Sequence, residues 1–318
     1  MKRSFKDLIK GLVSNDRVCL SKLISQVESD SSSIFKIINS VKKIPNHVYT
    51  LGITGPPGAG KSTLTNQIIK KLRNLNLNIG VIAVDPSSPF TGGAVLGDRV
   101  RMQEHSLDNS VFIRSVGSRG DLGGLSSCTS SIIKLFDIFG MDIVIIETVG
   151  VGQTELDIIK ISDSVLVTLV PEAGDGIQAM KAGLMEIGDI FIINKADRGG
   201  ADKLAREIDY MISLKYDGSS RKTSVLTTEA ENDIGINELI DEIIAFKDYE
   251  EKNGLLQKKR NTRKLSELNT MVEKELRNEL EKTKETDTFK ELVNKLENGL
   301  LEPEVLVRKV ISLLKKDN

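Results

Sequence analysis

Tryptophan is absent from this 318-residue chain, histidine and cysteine occur twice each, and aromatic residues make up only 4% of it. Cys19 and Cys128 are too few and too far apart in sequence to form a disulfide framework or a Cys-x-x-Cys metal site, which fits a reducing compartment. His47 and His105 are also far apart in sequence, so a histidine-built metal centre is not expected and both are read as surface or core fillers. An excess of either charge is also missing. With 44 basic against 45 acidic side chains, no global field draws the molecule to nucleic acid or an anionic membrane. No segment approaches the roughly 20 apolar residues of a membrane span. The first 20 residues hold Asp7 and Asp16 and no continuous apolar stretch, against both a secretion signal and a transit peptide. A cytoplasmic protein with neither a nucleic-acid nor a membrane partner is expected.

What is present is 39% hydrophobic content over a length sufficient for one large core with helical appendages. Ile34, Ile37, Ile38 and Val41 recur at helical spacing after a serine-rich start, predicting one or two helices over 21–43 ahead of that core. Apolar runs near 48–54, 79–84, 110–114, 142–147, 164–170, 189–194 and 224–227 then alternate with helical patterns near 61–75, 123–139, 175–187, 201–214 and 236–247. The alternation implies crossover helices and a mostly parallel sheet covered on both faces. After Tyr249 the composition turns to Lys, Glu, Asn and Leu. Leu265, Leu268, Val272, Leu276 and Leu280 mark an exposed helix with one apolar stripe, and Pro303 suits the first turn of a last helix. The expected division is an N-terminal helical extension over 1–46, an α/β domain over 47–250 and a helical arm over 251–318. The arm suits either packing onto the parent domain or self-association.

The run Gly55-Pro56-Pro57-Gly58-Ala59-Gly60-Lys61-Ser62-Thr63 follows a predicted strand and opens a predicted helix, the setting that a phosphate-binding loop requires. Its glycines let backbone N–H groups converge, the helix start adds a positive dipole end, Lys61 reaches the β and γ phosphates and Ser62 ligates Mg²⁺. Downstream, Asn194-Lys195-Ala196-Asp197 closes an apolar strand, where open α/β sheets bind ligands. Asp197 can accept from both donors on the Watson–Crick edge of guanine, which adenine does not present, while Asn194 and Lys195 brace the loop and cover the base. Between these lie two acid-bearing loops, Val84 to Met102 and Ile146 to Glu155. A carboxylate at the end of a buried strand beside a phosphate loop is suited to hold Mg²⁺, so Glu147 and Asp98 are the metal candidates. Asp85, at the tip of the second strand, is the first candidate to orient the attacking water, with Gln153 as its competitor.

Assembled, these motifs resemble the methylmalonyl-CoA mutase-associated GTPases, a group that includes the ArgK type known as LAO/AO transport system kinases. The resemblance runs from about residue 20 to 250 through GPPGAGKST, VDPSSPFTGGAVLGDRVRM, SRGDLGGLS, ETVGVGQTE, PEAGDGIQAMKAG and NKAD. It implies an α/β P-loop NTPase core of the SIMIBI type with N- and C-terminal helical extensions, dimeric through the C-terminal arm. It also implies an adenosylcobalamin-dependent acyl-CoA mutase as partner, with GTP hydrolysis timing cofactor delivery and protection. On this likeness Asp85, Asp98 and Glu147 take catalytic and Mg²⁺ positions, Pro171–Lys181 is an additional mobile loop, and Asp175 and Lys181 couple nucleotide state to the partner. The chain departs from the family where Glu229-Ala230-Glu231 stands in place of the usual Ser-Ala-x loop at the guanine O6, a backbone contact that such a change can preserve.

Neither histidine has Asp two residues before it and Gly three after, the pattern that supplies a cobalt ligand, so tightly bound cobalamin is not expected here. The rival reading is a P-loop kinase of a transport system. The pairing of a guanine reader with Mg²⁺-bearing switch loops favours hydrolysis used as a timer.

Overall fold

Strands that are buried on both faces carry near-continuous apolar runs, as 143–146 and 190–193 do in this chain. A computed structural model of the protein describes residues 3–30, 32–41, 47–86, 103–105, 107–118, 126–148, 157–171, 183, 185–215, 218 and 221–314. It shows seven parallel strands: β1 (Tyr49–Thr54), β2 (Ile79–Pro86), β3 (Val111–Ser118), β4 (Ile143–Glu147), β5 (Ser164–Leu169), β6 (Ile190–Asn194) and β7 (Ser224–Thr228). Their order is β3-β2-β4-β1-β5-β6-β7. The strand carrying the phosphate loop is therefore central, between β4, whose Glu147 lies level with Ile53, and β5, whose Val167 lies level with Thr54.

Side chains sort by the period of two. In β4, Ile143 and Ile145 face one side while Val144 and Ile146 face the other. On the first side lie α4 (Lys61–Asn74) and α7 (Ile236–Lys252), closing a core of Leu51, Ile53, Leu64, Ile68, Ile192 and Leu239. On the second lie α5 (Ser126–Phe139) and three N-terminal helices, α1 (Phe5–Val13), α2 (Arg17–Ser29) and α3 (Ser33–Ser40), around Leu20, Leu23, Ile82, Phe136 and Val144. Further along that side α6 (Ala201–Lys215) covers Val165, Val167, Phe191 and Ile193. The fold is thus an α/β P-loop architecture with helices on both faces.

Two helices appear that periodicity did not reveal. Helix α1 is opened by a capping box in which Ser4 and Asp7 satisfy each other's backbone N–H groups, and it buries Ile9 and Leu12. Near the other end, the lysine- and glutamate-rich stretch is not one helix: α8 (Leu255–Lys284) stops and α9 (Asp287–Glu297) begins at the N-cap Thr286, whose hydroxyl accepts from Phe289 N at 3.3 Å. A last helix, α10 (Pro303–Leu314), opens at the proline as expected. Of the helix predicted over 175–187, only Gly183 and the turn Met185–Ile187 fall among the described residues.

By its contacts the chain divides into a unit over Met1–Leu256, which holds the sheet and the N-terminal helices, and a second over Gln257–Asn318. Within the second, Leu265, Leu268, Val272 and Leu276 are all exposed along α8.

Candidate functional site

The phosphate loop joins β1 to α4, and two of its glycines are required by geometry. Gly55 has φ +140°, and a Cβ there would lie 2.0 Å from the carbonyl oxygen of Thr168 on β5, so the loop leaves β1 pressed against its neighbour. Gly60 caps α4 at φ +84°, and a Cβ there would lie 2.4 Å from Asn194 Nδ2. Both substitutions would push the loop away from the elements that shape it. Helix α4 then begins at Lys61, aiming its positive dipole end at the loop.

Lys61 is buried, 7% exposed, and its Nζ donates to the carbonyls of Gly55 at 2.8 Å and Pro56 at 3.0 Å. The ammonium is thereby held at the mouth of the loop, with its charge beside the converging backbone. One residue on, Ser62 Oγ donates to Glu147 Oε1 at 2.6 Å, and Glu147 itself is 3% exposed at the end of β4. A hydroxyl and a carboxylate in contact, close to a phosphate loop, make the hard-oxygen donor set that Mg²⁺ prefers. Magnesium also keeps waters and substrate phosphates as ligands, so few protein oxygens are needed beside them. The residues present fit the ion.

Asn194 ends β6 and is 2% exposed. Its Nδ2 donates to Ala59 O at 2.9 Å, while its Oδ1 accepts from Thr228 Oγ1 and from Ala230 N, both at 3.1 Å. One amide therefore ties the phosphate loop, β6 and the turn after β7 into a single frame. Lys195 follows at φ +59°, a left-handed conformation uncommon for a residue with a side chain, which turns the chain sharply out of the sheet. An open cleft results, lined among others by Gly60, Thr63, Asn194, Lys195, Asp197 and Ala230. Glu229 and Glu231 line it too, so the acidic turn faces the same space.

The structure thus assembles two clusters at the C-terminal ends of the strands, one of Lys61, Ser62 and Glu147 and one of Asn194, Ala59 and Ala230. Asp85 is described only in its backbone, which pairs with Gly117 at the end of β2. Asp98, Gln153, Asp175 and Lys181 lie outside the described residues. Two supporting residues went unnoticed in the sequence. Thr228 holds Asn194 as above, and Thr148, 2% exposed, donates through Oγ1 to Thr54 Oγ1 at 3.1 Å, bracing the end of β4 that presents Glu147 against β1. The only available signal was position, each adjoining a motif. The histidines stay apart from the site. His47 is exposed, and His105 is buried, which holds its imidazole below the ordinary pKa.

Comparison with known proteins agrees with this geometry. The family described as methylmalonyl-CoA mutase-associated GTPase MeaB matches residues 20–285. A candidate GTPase of Pyrococcus abyssi is 43% identical over 300 residues, covering 93% of each chain. The GTPase ArgK of Escherichia coli is 33% identical over 313 residues, covering 95% of this chain and 94% of its own. Among solved structures, a LAO/AO transport system kinase superposes with a TM-score of 0.72 at 26% identity, over 99% of this chain and 100% of that one. A phosphate loop in this setting, with relatives that are GTPases, makes the protein an enzyme that binds GTP and hydrolyses it to GDP and phosphate. The chain belongs to the MeaB family of methylmalonyl-CoA mutase-associated GTPases.

Proposed function

We propose that the protein is a GTP-driven switch that serves an adenosylcobalamin-dependent acyl-CoA mutase, gating delivery of the intact cofactor and protecting the loaded enzyme. The observation that carries this reading is the family match over residues 20–285, since the family is named for its association with methylmalonyl-CoA mutase. In this reading Lys61 gives up its carbonyl partners to neutralise charge on the β and γ phosphates, and Asp197 accepts from the guanine edge. The backbone of the Glu229–Glu231 turn meets the base from the other side. Ser62 and Glu147, with Asp98, hold Mg²⁺, whose charge offsets that developing on the transferred phosphoryl group. Asp85 orients the water, with Gln153 as the alternative. Asp175 and Lys181 transmit the nucleotide state, the arm over 251–318 joins two copies, and the protein works in the cytoplasm. Cobalamin belongs to the partner.

Glu147→Gln tests the metal half. It keeps the shape but removes the charge beside Ser62 Oγ. The Mg²⁺ concentration giving half-maximal GTP turnover is expected to rise about tenfold, the equivalent of one charge-assisted contact. An unchanged Mg²⁺ titration would move the metal site elsewhere.

The partner half is tested by GTP turnover with and without an acyl-CoA mutase from the same source, with ATP as control. The expected result is stimulation of GTP turnover alone. Phosphate transfer from ATP to a protein, without stimulation, would instead give the function to a transport-system kinase.

A further inference from the structure

The turn Glu229–Asn232 forms a wall of the cleft, and β7 alone does not hold it. Ala230 sits within it, 2% exposed, and a buried peptide group needs partners for both its N–H and its carbonyl. The N–H donates to Asn194 Oδ1. The carbonyl accepts from Gln67 Nε2 at 2.9 Å. Gln67 lies on α4, six residues after Lys61, which places it about 9 Å along the axis of a helix rising about 1.5 Å per residue. Four residues further, Lys71 Nζ pairs with Asp233 Oδ2 at 2.6 Å, just past the turn. Positions four apart share one face of a helix, so Gln67 and Lys71 form a stripe directed at this turn. The first residue of the same helix is Lys61, whose Nζ lies on the phosphate loop. Helix α4 therefore spans from the phosphate loop to the base-side turn as one rigid piece.

We infer that Gln67 is a positioning residue for base recognition: by holding the Ala230 carbonyl it fixes the distance between the phosphate loop and the wall against which the base rests, with Lys71 and Asp233 as an outer brace. Gln67 stands behind the cleft rather than in it, so it acts through Ala230 and not by touching nucleotide. The inference rests on the reading of the cleft as a guanine site. An unheld carbonyl would let the turn relax outward. The phosphate loop, tied to Asn194 through Ala59, would stay in place. Loss of Gln67 should thus weaken contact with the base and spare contact with the phosphates.

The test measures binding of GDP, ADP and inorganic pyrophosphate to the full chain by calorimetry, together with the melting temperature, for wild type, Gln67→Met and Gln67→Lys. Methionine removes the donor at similar length, whereas lysine keeps one. GDP affinity of the methionine variant is expected to fall about tenfold, the worth of one part-buried hydrogen bond, with pyrophosphate affinity little changed and the melting temperature lowered by no more than a few degrees. The GDP-to-ADP preference should fall with it, and lysine should restore most of the loss. Unchanged GDP affinity, or a parallel loss of GDP and pyrophosphate binding with a lowered melting temperature, would overturn the assignment. A wild type that binds GDP and ADP equally would remove the guanine reading itself, a result distinct from the failure of Gln67 alone.

Discussion

Replacing Lys61 with alanine is expected to lower the turnover of GTP by about a hundred- to a thousandfold, the cost of removing one preorganised donor from a developing negative charge. The size of the effect follows from where the amine sits. It is buried to 7% exposure and held at the loop by the carbonyls of Gly55 and Pro56, so its charge already lies inside the site when those carbonyls are exchanged for phosphate oxygens. Methionine at the same position should give nearly the same loss, since it restores the length of the side chain but not the charge. The measurement is single-turnover phosphate release, with the melting temperature as a control for folding. Turnover within about twofold of wild type would mean that the loop does not act on the phosphates, because no charge lost there could be so cheap.

Asp197→Asn is expected to weaken GTP on the order of a hundredfold while improving xanthosine triphosphate. A carboxylate accepts from both donors of the guanine edge. An amide accepts from one and presents its own donor to the other, which repels guanine but suits the carbonyl that xanthine carries at that position. Asp197 is exposed at the rim of the cleft, so the charge-assisted bonds are partly screened and the effect lies toward the low end for two such bonds. Competition binding with the two triphosphates reads the result. Equal affinity of wild type and variant for GTP would show that another group reads the base.

Much of the fold was legible because buried parallel strands leave a direct trace. Runs such as Ile143–Glu147 and Ile190–Asn194 are apolar on both faces, and each appears in the sheet within a residue or two of its predicted span. The helices that were missed lack that trace. Helix α1 is nine residues long and is signalled mainly by the Ser4 and Asp7 cap. The break at Thr286 lies in a stretch whose lysines and glutamates favour helix on either side, leaving a single capping residue to mark it.

The site divides in the same way. The phosphate loop and the Asn-Lys-x-Asp reader are local strings with a local mechanism. The contacts that join them are not, since Asn194 meets Ala59 across 135 positions and Gln67 meets Ala230 across 163. Only the order of the strands brings β1 and β6 to either side of β5, and that order is not written in any one segment. The same applies to Ser62 and Glu147, which meet because β4 lies next to β1. Sequence could propose both as magnesium ligands, but their contact needed the register of the two strands.

The most direct measurement of the central claim is phosphate release by the purified chain from GTP and from ATP, at equal concentrations and with Mg²⁺ present. The frame of Asn194, Asp197 and the Ala230 turn predicts a kcat/KM for GTP at least about a hundredfold above that for ATP, since adenine offers neither donor that Asp197 accepts. Equal kcat/KM for the two nucleotides would contradict it.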